Sequence, residues 1–254
     1  MASSSPTPRG IVVGCCGLAG RQADYYAEFP VVEVQRSFYQ LPRLSLAQKW
    51  RREAPANFTF TMKAWQLVTH RPDSPTYRRL REDLPGSPGA YGDFQPTHEV
   101  QAAWERTLEW AAALQATIMV FQCPRSFRPA DASIANLRSF FERAERGGMH
   151  FVWEPRGWPD ALVGELCREL DLVHCVDPLI DSTQDGAFAY HRLHGLPAYR
   201  YRYKYTDDDL ERIHRAALAE LDAGRGAAYV MFNNWWLHDD ARRFVARYGG
   251  GRVA

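Results

Sequence analysis

The 254-residue sequence has no CxxC pair, no apolar run long enough to span a bilayer, and almost no net charge. Each absence excludes something. Its five cysteines, Cys15, Cys16, Cys123, Cys167 and Cys175, are odd in number and two are adjacent, which fits neither a zinc knuckle nor a disulfide framework. Reduced thiols and a cytoplasmic location are the expectation. No stretch approaches the ~20 apolar residues of a membrane helix. The opening MASSSPTPRG has no apolar h-region, so residues 1–10 read as a disordered tail. With 31 Lys+Arg against 30 Asp+Glu, the chain has no global attraction for nucleic acid or acidic lipid. The glycine-rich stretch from Gly14 to Gly20 matches neither GxGxxG nor a Walker loop, and a tight loop is expected there. No repeat or composition shift divides the chain, so residues 11–254 are expected to form one domain.

What is present is a series of eight strand-length apolar runs: residues 11–14, 31–35, 58–63, 117–122, 150–154, 172–177, 188–194 and 227–233. They are rich in β-branched and aromatic residues, as buried parallel strands should be. Helical periodicity lies between most of them. Val100, Trp104, Leu108 and Ala111 form one apolar stripe; Ile134, Leu137 and Phe141 form another, ending at Gly147–Gly148. Leu162, Leu166 and Leu170 follow Pro159, and Leu210, Ile213 and Ala217 follow a capping-box pattern, Thr206 to Asp209. Alternating strands and helices imply a parallel sheet, and eight units favour an α/β fold of the (β/α)8 barrel type. The sixth unit is degenerate, since residues 177–186 carry little helical signal. Residues 71–96 hold too many prolines and glycines for one regular element.

Polar residues collect at the carboxyl ends of these runs: Glu33, Gln35, Lys63, Gln122, Glu154, Asp177, Arg192, His194 and Asn233. Glu33/Gln35, Glu154/Arg156 and Arg192/His194 stand two apart, which places each pair on one face of a strand. In a barrel that face lines the end where enzymes of this architecture build their sites. A buried ion-pair network without chemistry is the alternative. His191 and His194 fall on opposite faces and make no metal pair, whereas Glu154, Asp177 and His194 form a conceivable set for a divalent ion. No cofactor is required by any motif. Cys15 as a nucleophile near His194 is a further alternative. In residues 199–205, Tyr199, Tyr201, Tyr203 and Tyr205 alternate with Arg200, Arg202 and Lys204, a pattern of solvated loops and of nucleic-acid-binding segments.

The segments VVEVQRSFYQLP (31–42), FTFTMKAWQLVTH (58–70), FQCPRSF (121–127), WEPRGW (153–158), RLHG (192–195) and MFNNW (231–235) resemble, in order, the pattern of the DUF72 (YecE-like) family. The resemblance runs from Gly14 to the last helix. It implies a TIM-barrel-like fold of uncharacterised biochemical role, with distant similarity to sugar isomerases. Matching polar positions are Glu33, Tyr39, Lys63, His70, Gln122, Glu154, Arg156, Arg192, His194, Tyr199 and Asn233. Four positions depart from it: Cys15–Cys16 stand where many relatives have Thr-Ser, Gln35 replaces the usual Asn, and Gly157 occupies a frequent His position.

The leading expectation is an enzyme, isomerase-like or hydrolase-like, acting on a small polar, anionic compound such as a sugar or sugar phosphate. Glu154 would be general acid/base and His194 a second proton-transfer group. Lys63, Arg156 and Arg192 would be electrostatic clamps, with Gln122 and Asn233 orienting hydroxyls. A non-catalytic metabolite-binding protein and a nucleic-acid-binding or processing protein are the alternatives.

Overall fold

The computed structural model describes residues 10–18 and 20–251, so residues 1–9 of the expected tail lie outside it. Eight strands close in sequence order into one parallel barrel: β1 (Gly10–Cys15), β2 (Val31–Val34), β3 (Thr59–Lys63), β4 (Ile118–Gln122), β5 (His150–Glu154), β6 (Leu172–Val176), β7 (Ala189–Leu193) and β8 (Ala227–Phe232). Gly10, read as part of the tail, is the first residue of β1. Nine α-helices accompany the strands among the described residues: α1 (Gln22–Glu28), α2 (Arg36–Tyr39), α3 (Leu44–Glu53), α4 (Gln66–Thr69), α5 (His98–Leu114), α6 (Asp131–Arg143), α7 (Asp160–Glu169), α8 (Asp207–Asp222) and α9 (Leu237–Tyr248). None of them is long and apolar enough to cross a membrane.

Strand periodicity divides the apolar residues into two cores. One row, including Val12, Val31, Ile118, Val120, Val152, Phe188, Tyr190, Tyr229 and Met231, fills the barrel interior. The alternate row, including Val13, Val32, Phe60, Met119, Phe121, Phe151 and Phe232, packs against the helices with Trp104, Leu137 and Phe244. Between β6 and β7 there is no helix, as the weak periodicity predicts, and residues 71–96 contain only two short 3-10 turns. Thr206 and Asp209 form the capping box that opens α8.

Two details depart from the sequence-based expectation. Helix α6 stops at Arg143, and Gly147 and Gly148 sit in the following turn with positive φ rather than at the helix end. Two one-turn helices, α2 and α4, follow β2 and β3 directly. They are too short to show a period, yet they carry Tyr39 to the barrel mouth and set His70 just past the end of α4.

The β1–β2 seam shows what holds the barrel closed. These strands pair over only Gly14–Val31 and Cys15–Val32. A Cβ on Gly14 would lie 2.4 Å from the Val31 carbonyl oxygen, so only glycine lets β2 come this close. The buried Tyr25 hydroxyl on α1 bridges the seam, accepting from the Cys15 N–H and donating to the Val31 carbonyl, both at 2.8 Å.

All five cysteines are unpaired and buried. Cys15 points to the helix layer, where its thiol donates to the Leu237 carbonyl at 3.5 Å, so it is not the partner of His194 that the sequence allowed. Burial pushes its thiol well above the ordinary range.

Tyr25→Phe leaves one buried donor and one buried acceptor unpaired and is expected to destabilise the fold by about 2–4 kcal/mol; equilibrium denaturant unfolding measures it, and a loss under half a kilocalorie contradicts the bridging role. A thiol reagent should find almost no reactive cysteine in the native protein and all five after denaturation.

Candidate functional site

At the carboxyl end the barrel interior changes from apolar to charged. Lys63, Gln122 and Glu154 are the last residues of β3, β4 and β5. Glu33 and Arg192 are next to last in β2 and β7. All five are buried. The three pairs read from a spacing of two residues are all in contact. Gln35 donates to Glu33, Arg156 Nη2 lies 3.3 Å from Glu154 Oε1, and Arg192 Nη1 lies 3.1 Å from His194 Nε2. His191 faces outward instead, buried against Glu220 of α8 at 3.6 Å.

Arg192 organises the floor. Its Nε and Nη2 each donate to Glu33 at 2.9 Å, and its Nη1 donates to Glu154 Oε2. Tyr190, two residues earlier on the same face, donates to Glu33 at 2.9 Å and meets Thr61 at 2.8 Å. Arg192 has no exposed surface, so it is a sealed structural cation, unlike the free clamp expected from the sequence. The neighbouring acids supply the neutralising charge.

Above this floor a chain of contacts converges on Glu154 Oε1. Lys63 Nζ donates to Gln122 Oε1 at 2.5 Å, and Gln122 Nε2 donates to Glu154 Oε1 at 2.7 Å. Burial raises the Glu154 carboxyl, but the charges of Arg192 and Arg156, with the hydrogen bond from Gln122, outweigh it and hold the group well below the usual carboxylate range. Burial, aided by Arg192, brings the Lys63 ammonium down to about 7. Nζ sits 3.7 Å from the centroid of the Phe38 ring, and among the described residues no carboxylate lies within ion-pair distance of it. Helix α2 seats Phe38 there because the Ser37 hydroxyl donates to the Lys63 carbonyl at 2.8 Å.

His194 is neutral, its imidazole lowered to about 3 chiefly by burial. A guanidinium only donates, so Nε2 accepts from Arg192 and the proton sits on Nδ1. Among the described residues that buried Nδ1–H has no partner, and neither does the buried Nε of Arg156. Together with the remaining hydrogens of Lys63, the mouth holds several unfilled donors around one carboxylate oxygen.

The other expected residues sit around this centre. His70, also lowered to about 3 mainly by burial, packs against Phe38 and meets Thr69 Oγ1 at 2.8 Å. Half-buried Tyr39 lies under the Arg79 guanidinium, 4.3 Å from the ring centroid. Tyr199, in the left-handed region at φ +64°, stacks beneath Arg156 at 4.2 Å and stands 5.1 Å from the His194 ring. Asn233 is half-buried and its side chain makes no hydrogen bond among the described residues; its neighbour Asn234 is tied to Tyr203 and Asp240. In the 199–205 loop, Tyr203 donates to Asp209 and buried Tyr205 accepts from the Gly195 N–H, while Arg200, Arg202 and Lys204 are exposed.

The set Glu154, Asp177 and His194 does not form a cation site in this geometry. Asp177 accepts from the backbone N–H groups of His194 and Leu179, and Arg192 stands between Glu154 and His194. Among the described residues, no three His, Cys, Asp or Glu side chains converge as metal ligands. Sequence reasoning missed Tyr190 and Thr61, which the two-residue period from Arg192 and Lys63 would have found, and Phe38, which no spacing marks.

A family profile described as "Protein of unknown function DUF72" matches residues 19–249. The UPF0759 protein YunF of Bacillus subtilis (strain 168) is 22% identical over 239 residues, covering 83% of this chain and 79% of that protein. A DUF72 family protein from Enterococcus faecalis V583 superposes with a TM-score of 0.72 at 16% identity, covering 97% of this chain and 96% of that one. A xylose isomerase domain containing protein from Salmonella typhimurium LT2 shares the fold, with a TM-score of 0.56 at 12% identity over 94% of this chain and 95% of that one.

The lowered basicity of Lys63 has a consequence for stability. The unfolded chain keeps this lysine protonated up to its ordinary value of 10.5, while the folded chain releases the proton near 7. Between those values the unfolded state binds more protons, so wild-type stability rises with pH. Lys63→Met should be the more stable protein at neutral pH, with an advantage that shrinks toward pH 10.5. Parallel denaturation curves across that window would refute the burial argument.

Proposed function

The chain belongs to the DUF72 family, and from that premise and the unfilled donors at its barrel mouth we propose that it binds and converts a small, polar, anionic compound of the sugar or sugar-phosphate class. The observation that carries this reading is the spare donor capacity at the mouth: the Nδ1–H of His194 and the Nε–H of Arg156 have no partner among the described residues, and Lys63 Nζ, bonded to Gln122, keeps further hydrogens to donate. Buried donors left empty cost about 1–3 kcal/mol each, and a ligand rich in acceptor oxygens would fill them together. Lys63 and Arg156 supply the charge for the anionic group, with exposed Arg36 at the start of α2 and exposed Arg125 on the loop after β4, 5.7 Å from the centroid of the Tyr199 ring. Tyr39 and Tyr199 form the walls, and His70, Gln122 and Asn233 orient hydroxyls. Glu154 acts in its ionised form, as base or as fixed charge, and His194 as a neutral donor. Glu33 and Arg192 hold the floor rigid beneath them. The fold shared with a xylose isomerase domain protein supports a sugar as substrate.

A thermal-shift screen of phosphate- and carboxylate-bearing metabolites tests this. At a hundredfold excess over Kd a true ligand contributes about 2.7 kcal/mol, or a Tm rise of about 5 °C for a chain of this size. The rise should vanish in Lys63→Met and Arg156→Gln. Glu154→Gln, whose amide oxygen can still accept from Arg192, should fold with a lowered Tm and still bind, with turnover lost; binding without turnover in the wild type would make the protein a metabolite sensor. A broad screen with no shift, or a shift indifferent to both cation substitutions, would sink the proposal.

A second reading takes support from the exposed Trp235, whose ring lies 4.1 Å from the Arg202 guanidinium beside the 199–205 loop. Single-stranded nucleic acid would stack there, and its binding would weaken steeply with salt and with loss of Arg200 and Arg202.

A further inference from the structure

We propose that Lys63 is an amine nucleophile whose Nζ condenses with the carbonyl carbon of a small anionic aldehyde or ketone to form an imine in the barrel mouth. This deepens the ligand reading above and rests on it. Only three of the 31 Lys+Arg side chains are lysines: Lys49, Lys63 and Lys204. The other two are exposed, Lys49 beside Glu53 at 3.7 Å on α3 and Lys204 on a loop. At the mouth itself the neighbouring cations, Arg156 and Arg192, are both arginines. An anion clamp is best made by a planar, five-donor guanidinium. What lysine offers and arginine does not is a lone pair near neutral pH.

The geometry around Nζ favours the free amine. Its hydrogen-bond acceptor is a neutral amide, Gln122 Oε1 at 2.5 Å, and the face of Phe38 packs at 3.7 Å. The charged groups acting on it are Arg192 on β7, Glu154 on β5, Glu33 on β2 and Arg156 past β5; neutral His70 follows α4. Gln122 is the separating element. Its oxygen takes the lysine N–H while its nitrogen holds Glu154 at 2.7 Å, so the carboxylate is kept one side chain away from the amine. Without a directly bonded carboxylate the proton is not pinned on nitrogen, and burial drives it off near pH 7.

The condensation needs no external oxidant or reductant. The nitrogen lone pair forms the N–C bond while the carbonyl π pair moves to oxygen, giving a carbinolamine. The two amine hydrogens then leave with that oxygen as water, and the C=N bond forms. Protonation of the imine nitrogen makes the adjacent carbon acidic, and Glu154, already ionised, is the base within this network. The substrate class is a short aldehyde or ketone carrying a phosphate or carboxylate.

Reductive trapping tests the proposal. The full chain is incubated at neutral pH with glycolaldehyde phosphate, or with pyruvate, and cyanoborohydride, and the modified lysine is located by peptide mass mapping. Lys63 should be labelled about tenfold faster than Lys49 or Lys204 despite its burial. Lys63→Arg should remove that label, with the fold checked by circular dichroism. Gln122→Glu, nearly isosteric, sets a carboxylate on Nζ and should cut trapping about tenfold at neutral pH, with recovery at alkaline pH. Labelling that follows exposure and spares Lys63, while the same anions raise the Tm, would overturn the imine and leave the ligand site standing. Neither label nor Tm response to any anion would overturn both.

Discussion

The Arg192 guanidinium, clasped by Glu33 and Glu154 inside a closed barrel, is the interaction on which the carboxyl half of this structure depends. It joins β7 to β2 and β5, none of which is its neighbour in the sheet. A buried guanidinium without partners would cost several kcal/mol, and so would each carboxylate. Every member is tolerable only because the others are present. Tyr190 and Thr61 extend the network, so the interior changes abruptly from an apolar lower barrel to a saturated polar floor. Removing any one charge would leave its partners stranded where water does not reach.

That floor governs what the mouth can do. Because Arg192 is fully engaged, it holds Glu154 ionised and leaves His194 neutral with its proton on Nδ1. The groups with capacity left over stand one layer higher, where Lys63 and Arg156 meet Glu154 through a single oxygen and a single amide. Two short helices and one loop then shape the opening. Helix α2 places Phe38 on the lysine, α4 leads to His70, and the 199–205 loop brings Tyr199 and Tyr201 against His194. The resulting division, rigid ion pairs beneath and unfilled donors above, is how a barrel presents polar chemistry without losing its core.

How much of this was legible along the chain depended on the range of the interaction involved. Strands and long helices are written in local periodicity, so the eight runs, the missing sixth helix and the α8 capping box could be read directly. The two-residue period likewise predicts that Glu33/Gln35, Glu154/Arg156 and Arg192/His194 share faces, and each pair does meet. Helices α2 and α4 escaped because one turn carries no period, and Phe38 escaped because its role is contact with a strand it does not adjoin in sequence.

Local pattern along the chain is enough to read the class of fold, the list of charged residues at the strand ends, and which side of each strand they occupy. What those charges do follows from how the strands close on one another. Barrel closure sets Arg192 between two carboxylates 159 and 38 residues away, which turns an expected ligand clamp into a structural cation. The same closure leaves Lys63 facing an amide instead of an acid. Charge pairing and desolvation are properties of neighbours in space, and in a barrel those neighbours come from strands that local sequence patterns cannot relate.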